Sequence, residues 1–396
     1  MDLGSWICNL ETRNPKSETR NPEPDNGLLT TDYGQMEVLF LDNETNWRGG
    51  QEQIFTLIRG LYQEGLGVAL AAPSGAPLSR RVRALGVTHF PLRWRGEINL
   101  LKARSLIQIL RRRHWDVIHF NTPRGIATAA FLSRRVGIPV RVLSRRVNFP
   151  LRGPVSRWKY LYSADRILTV SSGITETLIQ SGIPASRVEV VYEGVDVREV
   201  ENAAPARLYP PSEPVIGCVA YLSEEKGHAT LLDALALLLG QRPAARLVLV
   251  GDGPLRIQLE RQARALGISE RVRFLGFQEH TSHFLRGFDI FVLPSLSEGL
   301  SSGILAAMAA SLPVVASDIG GIPELVQHRV TGLLVPPRNP EPLAEALTEL
   351  IDSADLRHRY GQAGRSRVMK HFTLEQKVKR TLAIYEELLN PRRHAE

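Results

Sequence analysis

The sequence contains only two cysteines among its 396 residues, and they lie far apart, at Cys8 and Cys218. Two distant cysteines exclude a disulfide framework, and without a CxxC pair the chain offers no thiolate zinc site. No apolar run approaches the roughly 20 residues that a membrane-spanning helix needs. The first residues also lack the basic start and apolar core of a signal peptide. These absences predict a cytoplasmic protein, with peripheral attachment to the inner face of the plasma membrane left open.

Residues 1–35 contain little that can form a core. They are rich in Asn, Pro, Thr, Asp and Glu, and such a composition buries too little apolar surface to order a chain. We therefore predict that this leader is disordered. Met36 directly precedes the first convincing strand, so a leader that lies upstream of the true start is an equally good interpretation.

Acidic residues are scarce between Ser79 and Arg166. This segment carries 20 Lys and Arg against three Asp and Glu, a local net charge of +17 in a chain whose total is +8. Such a segment indicates an anionic partner: nucleic acid, an anionic membrane surface or a phosphorylated acceptor. Any single arginine in it has the simpler interpretation of a solvated helix face. Nucleic acid is the weakest candidate, because no set of aromatic side chains is placed to stack on bases.

Short apolar runs rich in Val, Ile and Leu alternate with longer helical patterns along most of the chain. Continuous apolar runs indicate strands that are buried on both faces of a parallel sheet. The predicted strands are 37–41, 67–73, 88–92, 116–120, 140–144, 166–171, 188–194, 215–221, 246–253, 272–277, 289–295, 312–317 and 332–337. The predicted helices are 53–64, 100–113, 229–239, 255–266, 302–310, 341–353 and a long helical region over 356–389. This alternation predicts doubly wound α/β domains.

The alternation is interrupted at residues 202–214, which are rich in Pro and Ala and show no periodicity. A length of 396 residues also exceeds what one hydrophobic core usually serves. We therefore predict two Rossmann-like domains, at 36–201 and 215–375, joined by this linker. Residues 376–396 are expected to form a helix that crosses back to the N-terminal domain.

Residues directly after strands are the candidates for a site, because ligands bind at the carboxyl ends of open parallel sheets. Lys226 follows the first strand of the second domain and begins a helix, where its ammonium suits a diphosphate. Glu298 lies in a loop that continues through Gly303 into a helix. Free N–H groups at a helix start favour phosphate, and the carboxylate can accept from sugar hydroxyls. Gly49–Gly50 precede the first helix and offer the same chemistry, although a tight turn explains them equally well.

The stretch from Pro294 to Val326 resembles the retaining GT-B glycosyltransferases of family 4. It contains Glu298–Gly299, followed by the sequences AMA, PVVA and GGIPE. Further matching pieces are KG at Lys226, GDGP, FLGF and YEGVD, so the resemblance covers the chain from about Met36 onwards. The sequences WRGGQEQ and SRRVNFP are similar to a branch of this family often found in bacterial surface-polysaccharide and lipopolysaccharide assembly.

The resemblance implies a role for each matching residue. Lys226 would hold the donor diphosphate, and Glu298 would bind hydroxyls of the transferred sugar, while His119 would touch donor or acceptor. The implied donor-binding residues are Gly49, Gly50, Arg273, Phe277, Gly299, Leu300, Ser301, Ser302 and Gly303, with Arg273 and Phe277 beside the base. On the acceptor side, a patch for anionic groups is expected from Arg124, Arg145 and Arg146.

These implications predict a GT-B protein that moves a sugar from a nucleotide-diphosphate sugar to a glycan or glycolipid with retention of configuration. No nucleophile is placed for the task, so we expect same-face displacement, stabilised by Lys226 and the helix N-termini. No cofactor is predicted, since the nucleotide sugar is a co-substrate, and no DxD pair follows a strand, which predicts a metal-independent reaction. A GT-B epimerase or phosphorylase stays an alternative.

Three positions depart from the family pattern. The second glutamate of its E-x7-E pattern is Ala306, the arginine that often accompanies the phosphate-binding lysine is Tyr221, and a histidine beyond His119 is Asn121. Each loss removes a contact worth roughly 1.5–3 kcal/mol. Loss of both donor contacts therefore predicts donor binding that is weaker by about a hundredfold or more, unless other residues compensate. A weakly active or inactive nucleotide-sugar-binding protein is the second alternative.

Overall fold

The computed structural model describes residues 36–94 and 100–390, without the side chains of residues 100–102. The predicted disorder of residues 1–35 and the end of the predicted C-terminal helix, 391–396, lie outside the described residues. None of the helices in the described ranges is long and apolar enough to span a membrane.

The first half of the chain forms a parallel sheet of seven strands. They are β1 (Glu37–Leu41), β2 (Gly67–Ala72), β3 (Thr88–Pro91), β4 (Val117–Phe120), β5 (Val140–Arg145), β6 (Arg166–Thr169) and β7 (Val188–Val190). The helices of this half are α1 (Gly49–Gln63), α2 (Pro77–Ala84), α3 (Leu100–Leu110), α4 (Ile126–Arg135), α5 (Gly153–Ser163), α6 (Ser172–Gln180) and α7 (Val197–Asn202). The strand order is β3-β2-β1-β4-β5-β6-β7, and β1 is therefore the point where the order reverses.

The second half repeats the arrangement with six parallel strands. They are β8 (Val215–Val219), β9 (Arg246–Val250), β10 (Val272–Gly276), β11 (Ile290–Leu293), β12 (Val314–Ser317) and β13 (Gly332–Val335). The helices are α8 (His228–Gln241), α9 (Arg256–Ala265), α10 (Ser282–Leu285), α11 (Ser302–Ala309), α12 (Ile322–Leu325), α13 (Pro340–Asp352) and α14 (Ala354–His371). The order β10-β9-β8-β11-β12-β13 reverses at β8.

Strand β1 shows why continuous apolar runs became central strands. Side chains alternate between the two faces of a strand, so Val38 and Phe40 join the core on one face of the sheet. Leu39 and Leu41 join the core on the other face. All four are at most 1% exposed, and helices cover both faces of each sheet. The predicted α/β fold with two doubly wound sheets is confirmed.

The predicted helical region over 356–389 is two helices rather than one. Helix α14 ends at His371, and α15 (Leu374–Leu389) begins after Thr373, whose Oγ1 accepts from the Gln376 N–H while the Gln376 side chain accepts from the Thr373 N–H. This reciprocal capping satisfies two backbone donors that a continuous helix would not leave free. Residues Leu374, Val378, Leu382 and Tyr385 of α15 pack into the core of the first sheet. Helix α15 thus packs on the first sheet, against α1.

Candidate functional site

The loops at the carboxyl ends of the two sheets line one cleft of about 970 Å³. From the first sheet the lining loops follow β1, β4, β5 and β7, and from the second they follow β8, β9, β10 and β11. Both reversal strands, β1 and β8, contribute loops. This is where the geometry of open parallel sheets places a ligand.

Lys226 and Glu298 meet in this cleft. Nζ of Lys226 donates to Oε2 of Glu298 at 2.5 Å, and the Ser295 hydroxyl donates to the same oxygen at 3.2 Å. Lys226 ends a 3₁₀ turn, and Gly227 after it has φ 69°. A Cβ on Gly227 would lie 1.9 Å from the Pro294 carbonyl oxygen. Glycine is therefore required for the lysine turn to pack directly on the β11 loop that carries Glu298.

The pair Gly320–Gly321 supports Glu298 rather than facing a ligand. A Cβ on Gly320 would lie 2.0 Å from the Glu298 carbonyl oxygen, and one on Gly321 would lie 2.0 Å from that of Gly299. Neither glycine lines the cleft. The two glycines thus let the β12 loop pack directly against the backbone of Glu298 and Gly299, which supports the loop that carries the Glu298 carboxylate.

The N-termini of two helices converge on the same space. Helix α11 begins after Ser301, whose hydroxyl caps it by accepting from the Ile304 N–H at 3.2 Å. Helix α1 begins at Gly49, and a Cβ there would lie 2.8 Å from the Ser302 hydroxyl oxygen. Helix N-termini carry partial positive charge and free N–H groups. Two of them beside the Lys226 ammonium make this part of the cleft suited to a diphosphate.

A buried charge network supports the first-sheet side of the cleft. Arg146 lines the cleft and donates from Nε to Glu193 at 3.2 Å. Burial raises the pKa of Glu193, which Arg146 counteracts. Lys377 of α15 donates to the backbone and side-chain oxygens of Gln53 at 2.8 and 2.7 Å. Burial lowers the pKa of Lys377 to about 7. Helix α15 therefore helps to hold α1 and the Gly49–Gly50 turn in place.

Most of the residues predicted from the sequence line the cleft. These are Gly49, Gly50, Arg124, Arg146, Lys226, Phe277, Glu298, Gly299, Leu300, Ser301, Ser302 and Gly303. Phe277 is 56% exposed, so its ring is accessible to a ligand. Two of the three departures from the family pattern, Tyr221 and Ala306, line the cleft as well, and Asn121 does not. At position 306 the cleft wall therefore presents a methyl group where the pattern has a carboxylate.

His119 does not reach the cleft, contrary to its predicted contact with donor or acceptor. Its ring is fully buried, stacks on Phe40, and shares hydrogen bonds with the Tyr385 hydroxyl at Nδ1 (2.5 Å) and the Ser144 hydroxyl at Nε2 (2.7 Å). Burial holds the pKa of His119 well below its ordinary value. Tyr385 of α15 packs on the imidazole and separates it from the cleft. We therefore interpret His119 as a neutral residue that supports the fold.

Arg145 and Arg273 also lie away from the cleft lining. Arg145 ends β5 with 3% exposure and donates to the Tyr160 hydroxyl and the Phe149 carbonyl. Its guanidinium is thus occupied inside the domain and is not part of an anionic-group patch. Arg273 is the second residue of the edge strand β10 and is exposed. It therefore lies near the amino end of the strand, away from the carboxyl end where the base was expected.

Sequence reasoning missed several residues of the cleft wall. All four examples lie within sequences already matched to the family: Arg48 and Gln51 belong to WRGGQEQ, Asn148 to SRRVNFP and Glu193 to YEGVD. Within residues 36–94 and 100–390, no group of three or more His, Cys, Asp or Glu side chains is arranged to hold a metal ion.

Two family descriptions match successive parts of the chain. "Glycosyltransferase Family 4" matches residues 47–199 and "Glycosyl transferases group 1" matches residues 200–367. A glycosyltransferase of Methanocaldococcus jannaschii is 28% identical over 237 residues, which are 57% of this chain and 60% of the relative. The lipopolysaccharide core biosynthesis glycosyltransferase LpsE of Rhizobium meliloti is 31% identical over 234 residues, covering 59% of this chain and 66% of LpsE. These alignments span just under two thirds of each relative.

Solved structures share the fold. Anabaena HepE, crystallised with UDP-glucose, superposes with a TM-score of 0.75 at 22% identity, over 88% of this chain and all of HepE. The two family matches meet at residues 199 and 200, close to the end of α7, so each half of the described fold has its own match. By its sequence and by its fold, this chain belongs to the GT-B glycosyltransferases of group 1 and family 4.

Proposed function

We propose that this chain transfers a sugar from a nucleotide-diphosphate sugar to a glycan or glycolipid acceptor, with retention of anomeric configuration. One observation carries the proposal: the Lys226–Glu298 pair and the N-termini of α1 and α11 lie together in one cleft. A cation and two helix N-termini suit a diphosphate, and a carboxylate beside them suits sugar hydroxyls.

The chemistry follows from how charge develops during transfer. As the bond between the anomeric carbon and the diphosphate oxygen breaks, negative charge grows on the leaving diphosphate. Lys226 and the N–H groups at the start of α11 stabilise that charge, which is the largest single source of catalysis in sites of this kind. The acceptor hydroxyl attacks from the face that the diphosphate leaves, and the departing phosphate oxygen takes its proton. No protein nucleophile takes part.

The Lys226–Glu298 contact changes when the donor binds in this scheme. The ammonium turns to the diphosphate, and the Glu298 carboxylate accepts from hydroxyls of the sugar, while Ser295 keeps its hydrogen bond to Glu298. Lys226 exchanges a carboxylate for the charged diphosphate, and Glu298 exchanges the ammonium for the neutral sugar hydroxyls, so neither group is left without a hydrogen-bonding partner. Phe277 follows β10 in the cleft wall and offers an accessible ring face to the base.

We propose a uridine diphosphate sugar as the first donor to test, because Anabaena HepE was crystallised with UDP-glucose. The LpsE relative favours a role in lipopolysaccharide or other surface-polysaccharide synthesis. Arg124 and Arg146 line the acceptor side of the cleft and suit an anionic acceptor group.

A surface next to the acceptor side favours peripheral binding to an anionic membrane. Phe149 lines the cleft and is 57% exposed, and helix α5 beyond it exposes Val155 (75%) and Trp158 (57%). Arg152 and Arg157 are exposed beside them. Exposed apolar side chains with arginines around them suit the boundary between lipid headgroups and acyl chains. Such a surface would bring a lipid-linked acceptor to the cleft.

Co-sedimentation with phosphatidylcholine vesicles, with and without phosphatidylglycerol, tests this membrane surface. Binding should require the anionic lipid, weaken in high salt, and fall in a Trp158→Ala variant. Arg273→Ala, which changes an arginine elsewhere on the surface, is the matched control. Binding that is indifferent to salt and to Trp158 would contradict the surface.

The donor is tested by a thermal-shift panel of UDP-, GDP-, ADP- and CMP-sugars. A donor at 100 times its dissociation constant stabilises the folded chain by about 2.7 kcal/mol, a shift that such a panel resolves. Lys226→Ala should lose transfer while keeping the thermal midpoint of the free protein. Unchanged turnover in that variant would overturn the proposed function.

The second candidate is a nucleotide-sugar-binding protein with little or no activity, and Ala306 favours it. Its methyl group lines the cleft in place of a carboxylate that would accept from a ribose. Time-dependent release of free nucleotide, with and without acceptor, distinguishes the two. Binding without release supports this candidate, and release that depends on acceptor supports transfer.

A further inference from the structure

Arg48 and Tyr221 make a contact across the cleft. Arg48 is the residue directly before α1, and its guanidinium carbon lies 4.4 Å from the centre of the Tyr221 ring, in the loop after β8. The two residues belong to different sheets, and both line the cleft. A guanidinium over an aromatic face is attracted by the charge distribution of the ring.

Arg48 differs from the other cations of the cleft in its partners. Lys226 pairs with Glu298 at 2.5 Å, Arg146 with Glu193 at 3.2 Å and Arg124 with Glu44 at 3.7 Å. Among the described ion pairs, no carboxylate partners Arg48, whose side chain is exposed. Its positive charge is therefore available to a ligand without the rupture of an existing ion pair.

The contact with the ring also leaves the donors of Arg48 available. It uses the charge of the guanidinium rather than a paired set of its N–H groups, so these groups can bind phosphate oxygens in pairs. The ring restricts the side chain, so less conformational entropy is lost on binding. The next residue is Gly49, whose position against Ser302 brings the two helix N-termini together.

We propose that Arg48 is the second cation that binds the donor diphosphate, and that Tyr221 is the positioning residue that orients it. The diphosphate lies between Lys226 of one domain and Arg48 of the other, and the inference rests on the proposed function. An arginine at position 221, as in the family pattern, would place a second guanidinium beside Arg48. Tyrosine supplies a ring there instead, and Arg48 supplies the charge from the opposite wall.

The inference is tested by comparing UDP with UMP, or GDP with GMP if the panel selects guanosine, in titration calorimetry. UMP lacks the second phosphate. Arg48→Ala should weaken binding of the diphosphate about 10- to 100-fold, the usual loss for one charged hydrogen-bonding partner, and change binding of the monophosphate by less than about threefold. Arg48→Lys, which keeps charge but not the paired donors, should lie between. Arg273→Ala, an exposed arginine outside the cleft, is the control.

A double variant tests whether a guanidinium at position 221 can replace the one at position 48. Arg48→Ala combined with Tyr221→Arg returns a guanidinium from the other wall and should recover most of the diphosphate affinity that Arg48→Ala loses. Tyr221→Leu alone should weaken diphosphate binding less than Arg48→Ala, because the charge stays and only its orientation is lost. An equal loss for diphosphate and monophosphate, or an Arg48→Ala affinity within twofold of the wild type, would overturn the inference. If the unmodified chain binds no nucleoside diphosphate, the proposed function itself fails.

Discussion

Lys226 and Glu298, 72 positions apart in the sequence, are joined by a hydrogen bond of 2.5 Å between ammonium and carboxylate. Two close backbone approaches make this contact possible. Gly227 lets the lysine turn pack on the β11 loop, and Gly320–Gly321 lets the β12 loop pack against the backbone of Glu298 and Gly299 in that loop. In the proposed function, Lys226 binds the diphosphate and Glu298 binds the sugar of the same donor, so the pair would link recognition of the two parts.

Glu298→Gln should separate the two roles of this pair. The variant loses the ion pair, so Lys226 is released and the affinity for UDP without a sugar should rise a few-fold. Transfer from the UDP-sugar should fall by about 100-fold or more, because a charged acceptor for the sugar hydroxyls is gone. Calorimetry with UDP and turnover measurements check the two effects. A parallel fall in both would contradict the division of roles.

Gly49→Ala should reduce transfer through a steric effect at the meeting of α1 and α11. The added Cβ would lie 2.8 Å from the Ser302 hydroxyl oxygen, which is too close, but 4.0 Å from the Ser302 Cβ, which is an ordinary contact. A small displacement in a site of this kind costs about 10-fold or more in rate. Turnover should therefore recover in the double variant Gly49→Ala/Ser302→Ala. Ser302→Ala alone is the control, and a double variant as slow as Gly49→Ala would argue against the clash.

Asp42→Asn should make the protein more stable at neutral pH. Asp42 is fully buried, and burial raises the pKa of its carboxyl from 3.8 to about 6. Between these values the folded chain binds more protons than the unfolded chain, so the free energy of unfolding falls as the pH rises through that window and stays lower above it. Asparagine stays neutral, so the variant should gain about 1–3 kcal/mol at pH 7.5.

Urea unfolding at several pH values measures this gain, which should shrink as the pH is lowered from 6 towards 4. Asp352→Asn is a suitable control, because Arg242 holds the pKa of that exposed carboxyl below its ordinary value. That variant should gain nothing at pH 7.5. A gain for Asp42→Asn that does not vary with pH would point to packing rather than to the buried charge.

Tyr385→Phe tests the structural placement of His119. The change removes the hydroxyl that bonds to Nδ1 of the buried imidazole and leaves that nitrogen without this partner. An unsatisfied buried polar group costs about 1–3 kcal/mol, so the free energy of unfolding should drop by this amount. Transfer at a temperature well below the midpoint should be unchanged within about twofold. A large loss of turnover with unchanged stability would instead support the predicted contact of His119 with donor or acceptor.

The fold was predictable because its signals are local. Apolar runs such as residues 37–41 and 314–317 specify strands buried on both faces, and glycines and caps between them specify where helices begin. The same reasoning predicted that Lys226, Glu298 and both glycine-rich helix starts lie near one another, since each follows a strand and the carboxyl ends of parallel strands share one edge, and all of them line the cleft. These features need only the chain within a few residues of each position.

The errors came from contacts between distant parts of the chain. His119 lies near the carboxyl end of β4, as a site residue would, but Tyr385 of α15 covers it. Arg145 belongs to a basic segment, but Tyr160 and Phe149 occupy its guanidinium. The sequence around each residue carries no signal of these partners.

Local sequence patterns were enough to predict two doubly wound sheets, the family and most of the loops that line the cleft. Which cations are available to a ligand depends on the side chains that meet across the cleft, and this required the folded structure. Arg48 and Tyr221 show the difference. In the sequence, Arg48 is one residue of WRGGQEQ and Tyr221 is a departure from the family pattern, while in the fold the Arg48 guanidinium carbon lies 4.4 Å from the centre of the Tyr221 ring. Contacts between the two halves of the fold are set by packing of the whole chain, which no local pattern records.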